Sequence, residues 1–292
     1  MCCFSQPVEH VSKTRIFART KADGRQLLVY SMRLVAGSDL AMVLPIPTPP
    51  RSDEDAVRFV DMSACPTFFD QLDALFPEEP ALRSFGGAIP GFAPQPARLI
   101  VHDVGEFEAS FVPTRADFSR LDERFRLPPD VWDALPAYAD WGFCVFKLRS
   151  RESVPPALKK SIEESEPRLL DRVRDIFSGA RDTPTPASPE VAPAIAPRDY
   201  HPMAFEFPRR DARLFFPTVH VHDGEVHATA EFDHTLYAQT GDLGAEGWRV
   251  SSAHAGILGP GAREWVDEDD WIRRARMTGS LPNRDVTLEL AR

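Results

Sequence analysis

Four residues in the C-terminal third form the densest cluster of chemistry-bearing side chains. His220, His222, Glu225 and His227 flank Asp223-Gly224, a pair favoured in two-residue hairpin loops because a type I′ turn needs positive φ at both central positions. A loop centred there opposes His220 to His227 and His222 to Glu225. Strand alternation then puts all four side chains on one face. Val219, Val221, Val226, Ala228, Ala230 and Phe232 take the other face, which reads as a core face. Three imidazoles and one carboxylate are donors suited to zinc, iron or copper. The same four also suit the wet face of a half-buried hairpin. His201, His234 and His254 lie in the same part of the chain, which thus holds six of the eight histidines.

A second kind of chemistry belongs to the opening Met1-Cys2-Cys3-Phe4. If Met1 is removed, Cys2 carries both a thiol and a free α-amine. A terminal amine titrates near about 8 and a free thiol near about 8.5, so the amine can act as base for its own side chain. Cys3 is a competing thiol beside it. Cys65 and Cys144, the other two cysteines, are expected as buried packing residues. The absence of a CxxC pair argues against a cysteine-only zinc site. The chain has no Gly-rich phosphate loop, HExxH or GxSxG, so the classes built on them lose their support.

The elements that must position these groups are mainly strands. Residues 8–19, 26–34 and 40–46 are predicted strands, with a turn at Asp23-Gly24 and a proline-rich exit through Pro45, Pro47, Pro49 and Pro50. A short strand is predicted at 57–60, a helix over 66–76 and a hairpin of 98–104 with 106–112. Thr114 and Asp117 resemble a capping box opening a helix through Phe125. Helices follow at 128–138 and 163–177, the latter with a stripe of Leu169, Leu170, Val173, Ile176 and Phe177; residues 142–148 read as a strand. Beyond it come strands at 203–207, 214–222 and 225–232, a helix at 268–277 and a last strand at 286–290. Helices and strands do not alternate regularly, so the expected fold is α+β with mostly antiparallel sheet and a few packed amphipathic helices. Residues 180–198 are rich in proline, threonine, serine and alanine and read as a linker or exposed loop. They divide the chain into an α+β part, 1–179, and a β-rich part, 199–292, which could complete a single fold.

The balance of 34 basic against 44 acidic residues gives a net charge of −10, which argues against a nucleic-acid or anionic-membrane surface. No run of about 18 apolar residues and no signal-peptide core is present. These features predict a cytoplasmic protein with reduced thiols.

The cysteine-rich start, with Thr14 to Ala18, Gln26 to Met32 and Ala41 to Pro47, resembles the bacterial domain-of-unknown-function family 2330. Tyr138 to Leu148, with Gly142-Phe143 and Lys147, and Pro202 to Pro208 followed by Leu214 to Pro217, fit the same pattern. The resemblance spans most of residues 2–222 and brings no activity with it. Members of that family look like exported proteins whose mature chain begins near the cysteine; here Met1 directly precedes Cys2. The start also resembles the cysteine-type N-terminal-nucleophile amidohydrolases. Bile-salt and penicillin-V acylases begin Met-Cys and follow with a Phe-Gly-Arg-like strand, where this chain has Ile16-Phe17-Ala18-Arg19 and then Asp23. That resemblance implies Cys2 as nucleophile, Arg19 and Asp23 as supporting residues, and a small amide or peptide substrate. The downstream asparagines of that group have no counterpart, because Asn283 is the only asparagine.

Two functional expectations follow. One is an N-terminal-cysteine amide hydrolase. The other is a non-catalytic binding protein that holds a transition metal such as zinc on the histidine hairpin. Either takes a small-molecule or peptide ligand, with no nucleic-acid or membrane partner.

Overall fold

The computed structural model describes residues 2–35, 39–77, 102–104, 107–148, 198–240 and 247–290. In chain order its strands and helices are β1 (Cys2–Phe4), β2 (His10–Thr20), β3 (Arg25–Val35), β4 (Leu40–Ile46), β5 (Arg58–Asp61), α1 (Phe68–Ala74), β6 (His102–Val104), β7 (Phe107–Val112), α2 (Pro129–Ala134), β8 (Gly142–Leu148), β9 (Arg198–Asp199), β10 (Met203–Pro208), β11 (Leu214–Phe216), β12 (His220–Val221), β13 (Thr229–Gln239), β14 (Arg249–His254), α3 (Pro260–Arg263), β15 (Trp271–Pro282) and β16 (Val286–Leu288). The fold is α+β, with mixed and antiparallel sheets and few helices. None of the described helices is long and apolar enough to cross a membrane.

Two large sheets stack. One runs β12-β1-β4-β8-β7-β6 and the other β14-β15-β13-β2-β3-β10-β5, with β9 beside β3; β11 and β16 pair by themselves. Among the described strands, parallel pairing occurs between β1 and β12 and between β2 and β13. The reason for the stacking is legible in β3, which is buried almost without interruption. Leu28 and Tyr30 face the six-stranded sheet, in a core with Met42, Leu44 and Phe146. Leu27 and Val29 face the other way, against Phe68, Phe69 and Leu72 of α1. A strand covered on both faces reads as a continuous apolar run rather than an alternation.

Local signals placed most of the first half well. The Asp23-Gly24 turn joins β2 to β3, with Gly24 at φ +80°. Several elements differ from expectation. Thr114 gives its hydroxyl hydrogen to Asp117 Oδ2 at 2.7 Å instead of capping a helix, and residues 115–120 and 123–125 form two 3-10 turns. The helix expected at 128–138 splits at Pro136, which cannot continue the ladder. The helix expected at 268–277 is the strand β15, paired with β13 and β14. Its Arg273 and Arg274 look like a helix's wet face in sequence, but both are buried; Arg274 lies 4.4 Å over the Phe76 ring and 3.3 Å from Asp73. The expected helix 163–177 and residues 180–197 of the expected linker lie outside the described residues. At the rim of the larger sheet, β14 leaves its ladder between Val250 and His254. There Ser252 turns its N–H and its hydroxyl onto the Leu75 carbonyl, at 2.8 and 2.9 Å.

Candidate functional site

The predicted histidine hairpin does not form. Gly224, at φ +88°, does make a turn, but residues 225–228 are not a strand and β13 begins only at Thr229. His220 pairs instead with Cys2 of β1, in parallel. The cause is Asn283. The His220 N–H donates to Asn283 Oδ1 at 2.7 Å, and Asn283 Nδ2 donates to the carbonyls of His220 and His227, at 2.9 and 3.0 Å. The amide side chain therefore sits where the hairpin ladder was expected, bridging the two residues predicted to face each other.

Asn283 belongs to a short strap joining β15 to β16, and the next residues of that strap fix the segment leading to His220. Asp285 Oδ1 accepts from the N–H groups of Thr218 and Val219, at 2.8 and 3.1 Å, and its Oδ2 accepts from the Tyr138 hydroxyl at 2.6 Å. Thr218 donates its hydroxyl to the Arg284 carbonyl at 2.8 Å.

This frame brings together three histidines. His220 lies between His222, stacked at 4.7 Å and 18°, and Phe232, stacked at 4.5 Å and 28°. His222 also meets Phe4 of β1 at 5.6 Å. From β13, His234 places its Nε2 3.1 Å from His220 Nε2. One imidazole must donate and the other accept. His234 Nδ1 is buried with no well-formed hydrogen bond, while the Asp233 backbone favours a proton on the ring, so which of the two Nε2 atoms donates depends on the tautomer. His222 Nε2 is likewise buried and unpartnered. Burial holds all three rings neutral: it lowers His220 to about 3, His222 to about 4, and His234 well below the usual histidine value.

The backbone beside the cluster is irregular. β2 changes register between Ser12 and Arg15, with Lys13 at φ 52°. The Lys13 N–H leaves the ladder for Asp233 Oδ2, at 3.0 Å. This bulge lies against His234, whose register partner is Thr14, a setting in which bulges commonly re-aim a side chain.

Of the expected metal ligands, His220 and His222 thus lie in one cluster, and Glu225 and His227 do not. Glu225 is exposed, with its N–H on Asp223 Oδ1 at 3.0 Å. His227 is exposed and hydrogen-bonds Asp223 at 2.8 Å, which raises its pKa. His234 is the member that hairpin reasoning did not place. Its signal was available: the apolar face through Phe232 continues at every second residue through His234, Leu236 and Ala238. Among the described residues, no three His, Cys, Asp or Glu side chains converge as a ready metal cage.

The expected Cys2, Arg19 and Asp23 are not assembled. Cys2 is beside His220, whereas Arg19 pairs with Leu27 and Gln239 at the far end of β2. From Thr14, beside His234, to Arg19 is five residues, or about 17 Å at about 3.3 Å each. Asp23 is in the turn beyond, its Oδ1 accepting from the Arg25 N–H at 3.2 Å. Cys3, Cys65 and Cys144 are buried, and burial pushes the Cys65 and Cys144 thiols up.

No protein-family model matches this chain, and no curated protein does. Among solved structures, the chain is similar to baculovirus P35, with 12% identity over 100% of both chains and a TM-score of 0.42. It is also similar to a mutated baculovirus P35 after caspase cleavage, at 13% identity over 98% of this chain and 100% of that one, TM-score 0.43. A third similarity is to P35 in its complex with caspase-8, at 11% identity over 96% and 97%, TM-score 0.41.

Proposed function

We propose that this protein is a non-catalytic binding protein that takes a transition metal on His220 and His234, with His222 as the third ligand after a ring rotation. The observation that carries the reading is the pair of Nε2 atoms 3.1 Å apart. The edge of a tetrahedron around zinc is about 3.3 Å for zinc–nitrogen bonds of about 2.0–2.1 Å. A metal must find its imidazoles deprotonated, and burial keeps these three so at neutral pH. Phe4 and Phe232 supply an apolar wall, and Asn283 holds the His220 backbone.

The test is elemental analysis and zinc titration of untagged protein. The expected result is binding near one equivalent, with a rise in melting temperature as metal binds the folded state. His234→Ala should abolish it and His227→Ala should not. Binding below about a tenth of an equivalent, or equal loss in both variants, overturns the reading.

A further inference from the structure

A different site lies where the three sheets meet. A cleft of about 110 Å³ opens between Trp141, Phe207 and Phe215, and Arg209, Arg210 and Arg213 also line it. The apolar side is built. Phe207 and Phe215 are buried, and Trp141 stands edge-on to Phe215 at 5.3 Å. The polar side is less symmetrical than three arginines suggest. Arg210 is fully engaged: Nη1 reaches both Asp140 oxygens at 3.0 Å, Nη2 the Asp140 carbonyl at 2.6 Å and Nε the Thr48 carbonyl at 2.9 Å. Arg213 donates through Nε and Nη2 to Asp211, itself a lining residue, at 3.1 and 2.6 Å. Gln26 lines the cleft too, but its amide is closed on the Phe215 backbone at 2.6 and 3.0 Å.

Arg209 differs from both. Its Nη1 donates to the Ala212 carbonyl at 3.2 Å, and its Nε is buried without a partner. Among the described residues it hydrogen-bonds no carboxylate; Asp211 acts on it through space while its own hydrogen bonds go to Arg213. With Nε closed to solvent, the terminal Nη groups are the donors left for a carboxylate. A dianion would need a second unmatched cation, and the described cleft has none. An enclosed apolar cavity that takes benzene measures about 150 Å³; at about 110 Å³ this cleft is too small to enclose a ring, but it is open, so a ring lies against its apolar side with one edge in solvent.

We propose that this cleft binds a small aromatic carboxylate, with its ring against Trp141, Phe207 and Phe215 and its carboxylate on Arg209. This site is independent of the histidine cluster.

Benzoate is the probe, titrated by calorimetry at low salt against the full chain. Saturable binding is expected with a Kd on the order of 1 mM. Benzyl alcohol and acetate, which each lack half of the ligand, should bind at least about tenfold more weakly. Arg209→Gln should weaken benzoate at least about tenfold while keeping the wild-type melting temperature, because among the described residues its guanidinium hydrogen-bonds only the Ala212 carbonyl. Asp211→Asn should tighten benzoate about threefold or more, since it removes the nearby anion and releases Arg213. No saturable benzoate binding, equal binding of benzyl alcohol, or unchanged affinity in a folded Arg209→Gln or in Asp211→Asn overturns the proposal.

Discussion

Three neutral imidazoles in one apolar pocket link stability to pH. An unfolded histidine titrates near about 6.5, whereas burial lowers His220 to about 3 and His222 to about 4 and lowers His234 as well. Between about pH 6.5 and 4 the unfolded chain therefore binds more protons than the folded one. The contribution is complete above pH 6.5 and is lost as pH falls through that window, at up to about 1.4 kcal/mol per pH unit for each histidine. Urea unfolding at pH 7.5, 6 and 5 should show this fall, and a double variant with His220→Asn and His234→Asn should flatten it. An unchanged slope in that variant would show that other groups carry the effect. At this scale the sequence was half informative. His220 and His222 could be picked out because they flank a turn, but Asn283 and His234 lie 63 and 14 residues from His220, and no local pattern ties them to it. The role of the lone asparagine is visible only once the strap is seen bonded to both sides of the turn.

The elements that local pairing defines were the legible ones. β2, β3, β4 and β8 fall close to their expected bounds because β2 and β3 share a tight turn and β4 and β8 are dense in apolar side chains. β15 was misread because Arg, Ala and Met favour a helix in isolation, while the long ladder with β13 holds it extended. Phe146 of β8 shows what joins the two sheets. Its ring is fully buried and meets Phe59 and Phe107 edge-on at 5.6 and 6.1 Å, and Phe205 of β10 at 5.8 Å. Phe146→Ala should cost about 3–5 kcal/mol, since a deleted buried ring leaves a cavity as well as losing transfer energy. Phe146→Leu, which keeps most of the volume, should cost less than half of that. Chemical denaturation measures both; a loss under about 1 kcal/mol for the alanine variant would mean that the sheets close without this ring.

Over the whole molecule, strands from the first and last parts of the chain interleave in both large sheets. β2 lies between β3 and β13, β10 between β3 and β5, and β1 between β4 and β12. The expected division at 180–198 can be tested directly against this interleaving. A fragment of residues 1–179 lacks β10, β12 and β13, so β1, β2 and β3 lose ladder partners and Tyr30 loses its Met203 neighbour. It should show no cooperative thermal transition by circular dichroism; a sharp one would establish the first part as a self-sufficient unit. Long-range pairing of this kind leaves no local trace, which is why both sheets could be expected in kind but not in order. The rim at β14 bears on a hazard that such a molecule faces in concentrated solution. A long, unbroken outer strand would offer a row of donors and acceptors on which a second copy could grow, and then a third. Here the row is interrupted at Ser252, whose donors are already closed on Leu75. The detour acts as a terminator, denying polymerisation a continuous template along that edge.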